Sequence, residues 1–222
     1  MRLHRTAFGF LFLIARLAAA QAPAIETEPL PVAPDSMARA LLVDLASLDR
    51  TIRIDARYAG SNNFTGAPLP GYEADRALLR REAADALARV QRRLRTEGLG
   101  LEVFDGYRPV RATLAMVDWA TRSGRTDLLD QGYIARRSRH NLGLAVDLTL
   151  VDLKTGAELD MGTPFDTFSE AAHTANAAGS VRRFREVLVR FMEDEGFKNY
   201  DREWWHFSYE VPGAVPFDLP VQ

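Results

Sequence analysis

The stretch SRHNLGLAVD at residues 138–147 constrains the fold most, because it places His140 and Asp147 seven positions apart around a glycine. A second block, EWWH, ends at His206. Histidine offers a neutral imidazole nitrogen and aspartate an ionised oxygen, so the three residues would give a zinc ion two nitrogen ligands and one oxygen ligand. Three protein ligands leave a fourth position open for water, as in catalytic zinc sites. A fold that assembles this site must bring two distant segments together.

Glu203 lies three residues before His206 and is the candidate base that takes a proton from such a water. Each residue also has an ordinary structural interpretation, since a histidine or aspartate beside a strand is often solvated or hydrogen-bonded without any metal. The small number of histidines favours metal binding by the two blocks. Only four occur, His4 lies in a segment predicted to be removed, and two of the other three fall in the two blocks. The last, His173, is interpreted as structural.

These two blocks carry a family resemblance, because SRHNLGLAVD fits the pattern SxHxxGxAxD and EWWH fits ExWH. The chain resembles the zinc D-alanyl-D-alanine peptidases of the M15 family, which share a fold with the Hedgehog signalling domain. Within that group it is most similar to the dipeptidases of the VanX type. Three further blocks match these: Tyr58 with NFTG at 63–66, DGYRP at 105–109, and MGTPFD at 161–166. The likeness runs from about Leu41 to about Pro220.

The resemblance implies an α+β fold, with a small, largely antiparallel sheet, helices against one face and the zinc cleft on the other. It also implies one Zn²⁺ per chain and free D-Ala-D-Ala as the substrate. Arg108 of DGYRP would stabilise the oxyanion that forms when water attacks the peptide carbonyl. From the residues alone, the preferred interpretation of Arg108 is a surface arginine or an ion-pair partner of Asp105.

Two residues have roles that only the resemblance implies, and the loop that follows Tyr58 suggests a role for a third. Asp166 matches the family residue that holds the free amino group of the dipeptide, and Ser138 matches one near its free carboxylate. Tyr58 stands at the root of a loop that is expected to form a wall of the active site, although a merely structural tyrosine fits the sequence as well.

Three functions remain open from the sequence. The first is a dipeptidase that cleaves free D-Ala-D-Ala, and the second is a D,D- or L,D-carboxypeptidase or endopeptidase that trims peptidoglycan stem peptides. The third is a zinc-stabilised binding module without catalysis. Asp166 favours the first, because a carboxylate that grips the free amine leaves no room for a longer peptide. Glu203 argues against the third, since such a module needs no base beside the metal.

Composition narrows the class further. With 222 residues, 47% hydrophobic and 26% charged, the chain suits one domain with a substantial core. The net charge is -2 and the sequence has no basic cluster outside its first residues, so we expect no nucleic-acid partner. The absence of cysteine excludes disulfides, thiol catalysis and cysteine zinc sites.

The N-terminus predicts export. Residues 1–20 combine basic residues, an apolar run and small residues at a cleavage site, which is typical of a signal peptide. Arg16 interrupts this pattern, so an uncleaved anchor is the alternative, although the run is short for a membrane span. Residues 21–40 are predicted to be a proline-rich linker, and 41–222 the catalytic domain. The mature protein is expected to be periplasmic or secreted, without stable membrane insertion.

The hydrophobic patterns predict the elements that carry these blocks. They are a strand in TIRIDARY, a loop at 61–72, a helix at 73–96, a strand in LEVF, a helix at 109–122, two strands joined at 154–156, a helix capped by Ser180, and a strand in WWHFSYE. In a regular strand Glu203 and His206 would point to opposite faces, so the site requires a bend or bulge at Trp204 and Trp205.

Overall fold

A computed structural model describes residues 31–222. Its strands are β1 (Leu42–Asp44), β2 (Arg53–Ile54), β3 (Leu78–Arg80), β4 (Leu99–Asp105), β5 (Ala145–Asp152), β6 (Lys198–Tyr200) and β7 (Glu203–Ser208). Its α-helices are α1 (Asp35–Leu41), α2 (Leu45–Leu48), α3 (Arg81–Thr96), α4 (Val110–Arg122), α5 (Asp127–Asp130) and α6 (Gly179–Glu193). Three short 3₁₀ helices occupy Arg57–Ala59, Arg139–Leu142 and Glu170–Ala172.

A five-stranded sheet in the order β2-β4-β5-β7-β6 forms the centre of the fold. The β2–β4 pair is parallel and the other pairs are antiparallel, while β1 and β3 form a separate antiparallel pair. Alternate residues of β5 explain the two faces of this sheet. Val146, Leu148 and Leu150 pack in the main core with residues of α3 and α6, whereas Asp147 points to the other face. The predicted α+β fold is confirmed.

Helix α3 begins at Arg81, eight residues later than predicted. The apolar residues before it continue the helical spacing, but Leu78–Arg80 pairs with Leu42–Asp44 as strand β3. The hydrogen bonds of this pairing override the local helical pattern, which is a common result of tertiary contacts. From Arg81 onward the amphipathic helix is as expected, and Leu87, Val90 and Leu94 are fully buried.

The predicted linker at 21–40 is wrong for its C-terminal part, because residues 35–40 belong to helix α1. Ala38 is fully buried in a small cluster with Tyr107 and Phe217, and the Ala33 N–H donates to the Pro216 carbonyl at 2.9 Å. These contacts tie the segment to the C-terminal chain. The signal peptide predicted at 1–20 and the linker residues 21–30 lie outside the described residues.

Three smaller predictions also differ from the structure. The second arm of the predicted hairpin is reduced to one bridge between Glu158 and Val151, after which the Asp160 carboxylate turns the chain by accepting from Gly162 N–H. Helix α6 begins at Gly179, so Ser180 does not cap it. The apolar spacing of the helix at 109–122 predicts that Leu114, Val117 and Ala120 face the core. Leu114 on α4 is instead 54% exposed, because the buried face of that helix passes through Val117 and Ala120.

Within residues 31–222, no helix is both long and apolar enough to cross a lipid bilayer.

Candidate active site

Three side-chain atoms converge at the end of the sheet. His140 comes from the 3₁₀ helix, while Asp147 and His206 are direct partners across β5 and β7. Nδ1 of His206 is 2.9 Å from Oδ1 of Asp147, and Nε2 of His140 lies 3.4 Å from that oxygen and 3.2 Å from Nδ1 of His206. Bonds of about 2.0–2.2 Å to a tetrahedral metal ion would separate its ligands by roughly 3.3–3.6 Å. The three residues therefore form a group that can bind a metal ion.

The turn between His140 and Asp147 is fixed by its own sequence. Ser138 and Asn141 form a capping box, in which Ser138 Oγ accepts from His140 N–H and Asn141 Oδ1 accepts from Ser138 N–H, both at 3.2 Å. Gly143 ends the 3₁₀ helix with a left-handed φ of 67° and directs the chain into β5. Ser138 thus helps to position His140, and both residues line one cavity.

A backbone contact sets the tautomer of His140. Its Nδ1–H donates to the Gly106 carbonyl at 2.6 Å, so Nε2 keeps its lone pair and faces the other two ligand atoms. Metal-ligating histidines are commonly oriented in this way by a hydrogen bond from the other ring nitrogen. The DGYRP block therefore contributes to the site through its backbone as well as through its side chains.

The protonation states of Asp147 and His206 suit coordination of a metal ion. Burial opposes the charge of Asp147, but the neighbouring His140 and the hydrogen bonds of His140 and His206 outweigh it, so the pKa of Asp147 lies well below its ordinary value. Burial lowers the pKa of His206 below its ordinary value, against the opposite effect of Asp147. An ionised carboxylate and a neutral imidazole are the forms that coordinate divalent metal ions.

The predicted bulge in the last strand is confirmed. Asn199 pairs with Phe207 but the next residue, Tyr200, pairs with Glu203, so three residues of β7 bulge out between these pairs. As a result Glu203 and His206 reach the same cavity, with Glu203 Oε2 3.9 Å from His206 Nδ1. Burial, and then the charge of Asp147, raise the pKa of Glu203 well above its ordinary value.

Arg108 is buried and forms the ion pair with Asp105 that the sequence left open. Its Nε and Nη2 donate to Oδ2 of Asp105 at 2.9 and 2.7 Å, while Nη2 is 3.7 Å from Oδ2 of Asp147. The guanidinium also lies over the ring of Tyr58, 5.0 Å from its centroid. Arg108 is therefore an ion-pair partner of Asp105 that borders the cavity at the same time.

Asp166 and Tyr58 meet on another side of the cavity. The Tyr58 hydroxyl donates to the Asp166 carboxylate, with distances of 3.0 and 3.1 Å to its two oxygens. Burial, and then the nearby Asp147, raise the pKa of Asp166 to about 8. Asp166 also has a left-handed φ of 60°, an uncommon conformation for a residue other than glycine, which orients its side chain.

Three supporting residues were missed as site residues by the sequence analysis. Tyr72 donates its hydroxyl to Asp105, whose other oxygen holds Arg108. Asn141 donates to the Arg108 carbonyl and to Thr113 Oγ1, both at 2.9 Å, and so joins the two motif turns. Asp105 and Asn141 stand inside the quoted motifs, but no pattern in the sequence points to Tyr72.

The structure brings all eight predicted site residues to one cavity of about 210 Å³. Aromatic side chains complete its wall, and these are Phe64, Tyr133, Phe168, Tyr200 and Trp205. His173 is not among the residues that line this cavity. Its Nε2 is 3.0 Å from the Tyr133 hydroxyl, so it supports one of the aromatic walls.

Comparison with known proteins identifies the family. The model of the M15 peptidases described as D-Ala-D-Ala dipeptidases matches residues 38–216. The chain belongs to this family. It is 37% identical over 193 residues to the D-alanyl-D-alanine dipeptidase of Enterococcus faecium, covering 77% of this chain and 93% of that protein. It is 34% identical over 180 residues to the D-alanyl-D-alanine dipeptidase of Escherichia coli (strain K12), covering 80% and 88%.

One similar solved structure is the vancomycin resistance D,D-dipeptidase VanXYg in complex with a D-Ala-D-Ala phosphinate analogue. The match has 19% sequence identity and a TM-score of 0.40, and it covers 78% of this chain and 68% of the other. Membership of the M15 family, which the sequence motifs predicted, makes the protein an enzyme that hydrolyses peptide bonds.

Proposed function

We propose that this M15 peptidase hydrolyses the free dipeptide D-Ala-D-Ala to two D-alanines, with one Zn²⁺ held by His140, Asp147 and His206. The convergence of these three ligand atoms at 2.9–3.4 Å is the observation that carries the proposal. The donor set of two imidazoles and one carboxylate suits zinc. The names of the curated relatives in Enterococcus faecium and Escherichia coli support the substrate.

Glu203 would act as the general base. When bound, Zn²⁺ supplies a water of lowered pKa and polarises the peptide carbonyl. The buried Glu203 carboxylate, 3.9 Å from a ligand nitrogen of His206, takes the proton of the attacking water and passes it to the leaving amine. Its raised pKa favours holding that proton between the two steps.

Arg108 would stabilise the negative charge that develops on the carbonyl oxygen. Its guanidinium is fixed on one edge by Asp105 and lies within 3.7 Å of Asp147, so it is oriented before substrate binds. A cation that is already in place stabilises the transition state without any cost of reorganisation. Asp105, held in turn by Tyr72, is the residue that keeps this geometry.

Asp166 and Tyr58 would select a free dipeptide. The Asp166 carboxyl group lies in the same cavity as the three ligands. The ammonium group of the substrate would favour its ionised form and pair with it, with Tyr58 holding it in place. A residue that pairs with the free amine leaves no path for the rest of a stem peptide. Ser138, at the start of the ligand turn, would lie near the free carboxylate.

The experiment is an assay of the purified mature protein with zinc against D-Ala-D-Ala, L-Ala-L-Ala and a muramyl pentapeptide, with products followed by mass spectrometry. We expect D-alanine from D-Ala-D-Ala alone. Release of D-alanine from the pentapeptide at an equal or greater rate would instead identify a carboxypeptidase, and binding without cleavage would identify a zinc-stabilised binding module.

The Asp166→Asn variant provides the matched test of selection by the amine. It keeps the size and the contact with Tyr58 but loses the charge that pairs with an ammonium group. We expect its kcat/KM for the dipeptide to fall while cleavage of an N-acetylated analogue stays as poor as in the wild type.

We also propose that residues 1–20 are a cleaved signal peptide and that the enzyme works in the periplasm or outside the cell. The basic start, the apolar run and the small residues before Gln21 support this. N-terminal sequencing of protein recovered from the periplasmic or culture fraction would test it, and an intact Met1 in the cytoplasmic fraction would contradict it.

A further inference from the structure

One positively charged side chain that lines the cavity, Arg137, has no role in the proposed chemistry. Three arginines line the cavity: Arg108, Arg137 and Arg139. Arg108 is buried against Asp105, and Arg139 donates to the Tyr209 carbonyl at 2.6 Å and pairs with Glu210 at 3.2 Å. Arg137 is exposed, and among residues 31–222 no carboxylate lies within 4.0 Å of its guanidinium.

A free dipeptide presents two opposite charges to this cavity. Its ammonium group has a partner in Asp166, but the partner proposed for its carboxylate, Ser138, is a neutral hydroxyl. Ser138 Oγ already accepts from His140 N–H, which leaves it one hydrogen to donate. Arg108 is already paired with Asp105, and the zinc ion is proposed to act at the peptide carbonyl, so a single neutral hydrogen bond from Ser138 would leave the substrate carboxylate without a cationic partner of its own.

We propose that Arg137 binds the C-terminal carboxylate of the substrate and so restricts the enzyme to peptides with a free C-terminus. Arg137 immediately precedes Ser138 on the segment that carries the first proposed metal ligand, and both residues line the cavity. A guanidinium is charged at every working pH and presents two parallel donors that match a carboxylate. This inference rests on the proposed dipeptidase function.

The neighbouring Arg136 supplies a matched control. It is also exposed and adds the same charge to the same segment, but it is not among the residues that line the cavity. Loss of Arg136 therefore changes the general electrostatic field as much as loss of Arg137 does, without removing a contact in the cavity.

The experiment compares Arg137→Ala, Arg137→Lys and Arg136→Ala with the wild type on D-Ala-D-Ala and on its C-terminal amide. We expect Arg137→Ala to lose about tenfold or more in kcat/KM for the acid, mainly through KM, and to be almost unchanged on the amide. Arg137→Lys should recover part of the loss, and Arg136→Ala should behave as the wild type. Zinc content, measured in parallel, should be the same in all four proteins.

Three results would overturn the inference: an unchanged KM of Arg137→Ala for the acid, equal losses on acid and amide, or an equal loss in Arg136→Ala. If the wild type cleaves neither substrate, the proposed function is wrong, and the role of Arg137 is then tested by ligand binding. Calorimetry with a phosphinate analogue of the dipeptide and with its carboxamide should then give a preference for the acid that disappears in Arg137→Ala. Absence of that preference in the wild type would overturn the inference on its own.

Discussion

At the scale of single residues, Glu203 is proposed to act as the general base without coordinating the metal ion. It lies beside the ligand triangle, 3.9 Å from His206 Nδ1, but the group of atoms that can hold an ion does not include it. Glu203→Ala should therefore retain zinc and lose roughly two to four orders of magnitude in turnover. Metal analysis and kcat measure the two effects, with the exposed Glu193→Ala as control. Loss of zinc together with activity would make Glu203 a ligand.

Arg108 pairs with Asp105 and is proposed to stabilise the oxyanion, so a single substitution removes both contributions together. Arg108→Ala should lower kcat about a hundredfold or more with a smaller change in KM, because the charge it meets exists only in the transition state. The variant should also unfold at a lower temperature, since Asp105 is then buried without its partner. Arg108→Lys should restore little, because a point charge cannot reproduce the two-pronged contact with Asp105.

Ligand affinity separates catalysis from stability at this position. The affinity for a phosphinate analogue should fall in proportion to kcat/KM, whereas the affinity for product-like ligands should barely change. Arg111→Ala is the control, because Arg111 forms a comparable but more exposed ion pair with Asp218. Equal losses of affinity for both kinds of ligand would show that Arg108 stabilises no oxyanion.

At the scale of elements, the turn after His140 determines whether two of the ligands face each other. Gly143 has a φ of 67°, and a Cβ added there would lie 2.6 Å from Leu42 Cδ2 and 3.1 Å from the Arg80 backbone nitrogen. Gly143→Ala should therefore cost more than the about 1–2 kcal/mol of a left-handed alanine alone, and should weaken zinc binding.

Gly124→Ala measures the backbone cost by itself. Gly124 has nearly the same φ, 68°, and no described atom lies within 4 Å of the position of its added Cβ. Chemical denaturation of both variants gives the difference in unfolding free energy that belongs to the crowded site. Equal destabilisation, with full zinc content in both, would show that the packing around Gly143 does not position the ligands.

The bulge in β7 and the strand β3 differ in whether the sequence predicts them. The bulge in β7 could be predicted because Glu203 and His206 must serve one site although a regular strand would separate them. Strand β3 could not, because Leu79 continues the apolar spacing of the helix and only the pairing of residues 78–80 with β1 makes them a strand. Local patterns contain no information about such a partner.

At the scale of the whole molecule, the sequence likewise predicts the site residues that stand in motifs but not those that act through distant contacts. The metal-binding residues stand in short motifs, so their chemistry and spacing are visible in the sequence. Tyr72 supports Arg108 through a contact with Asp105 that spans 33 positions, and Asn141 links two motif turns that are similarly distant. A tyrosine in an irregular loop shows nothing of this role until the fold brings it to its partner.

The whole molecule should stay folded without its metal. The main core joins α3, α6 and the sheet through buried apolar side chains, in contrast to small zinc domains that are unfolded without metal. We expect chelated protein to keep its far-ultraviolet circular dichroism but to unfold at a lower temperature, with recovery on adding Zn²⁺. His206→Ala should show no such response. Wild-type protein that unfolds completely on chelation would contradict this.

The central claim is a single zinc ion held by His140, Asp147 and His206, with Glu203 free to act as the base. Anomalous diffraction at the zinc absorption edge, from crystals of zinc-loaded protein, tests it most directly. We predict one anomalous peak about 2.0–2.2 Å from Nε2 of His140, Oδ1 of Asp147 and Nδ1 of His206, with Glu203 outside bonding distance. A peak bonded to Glu203, or none among these three atoms, would contradict it.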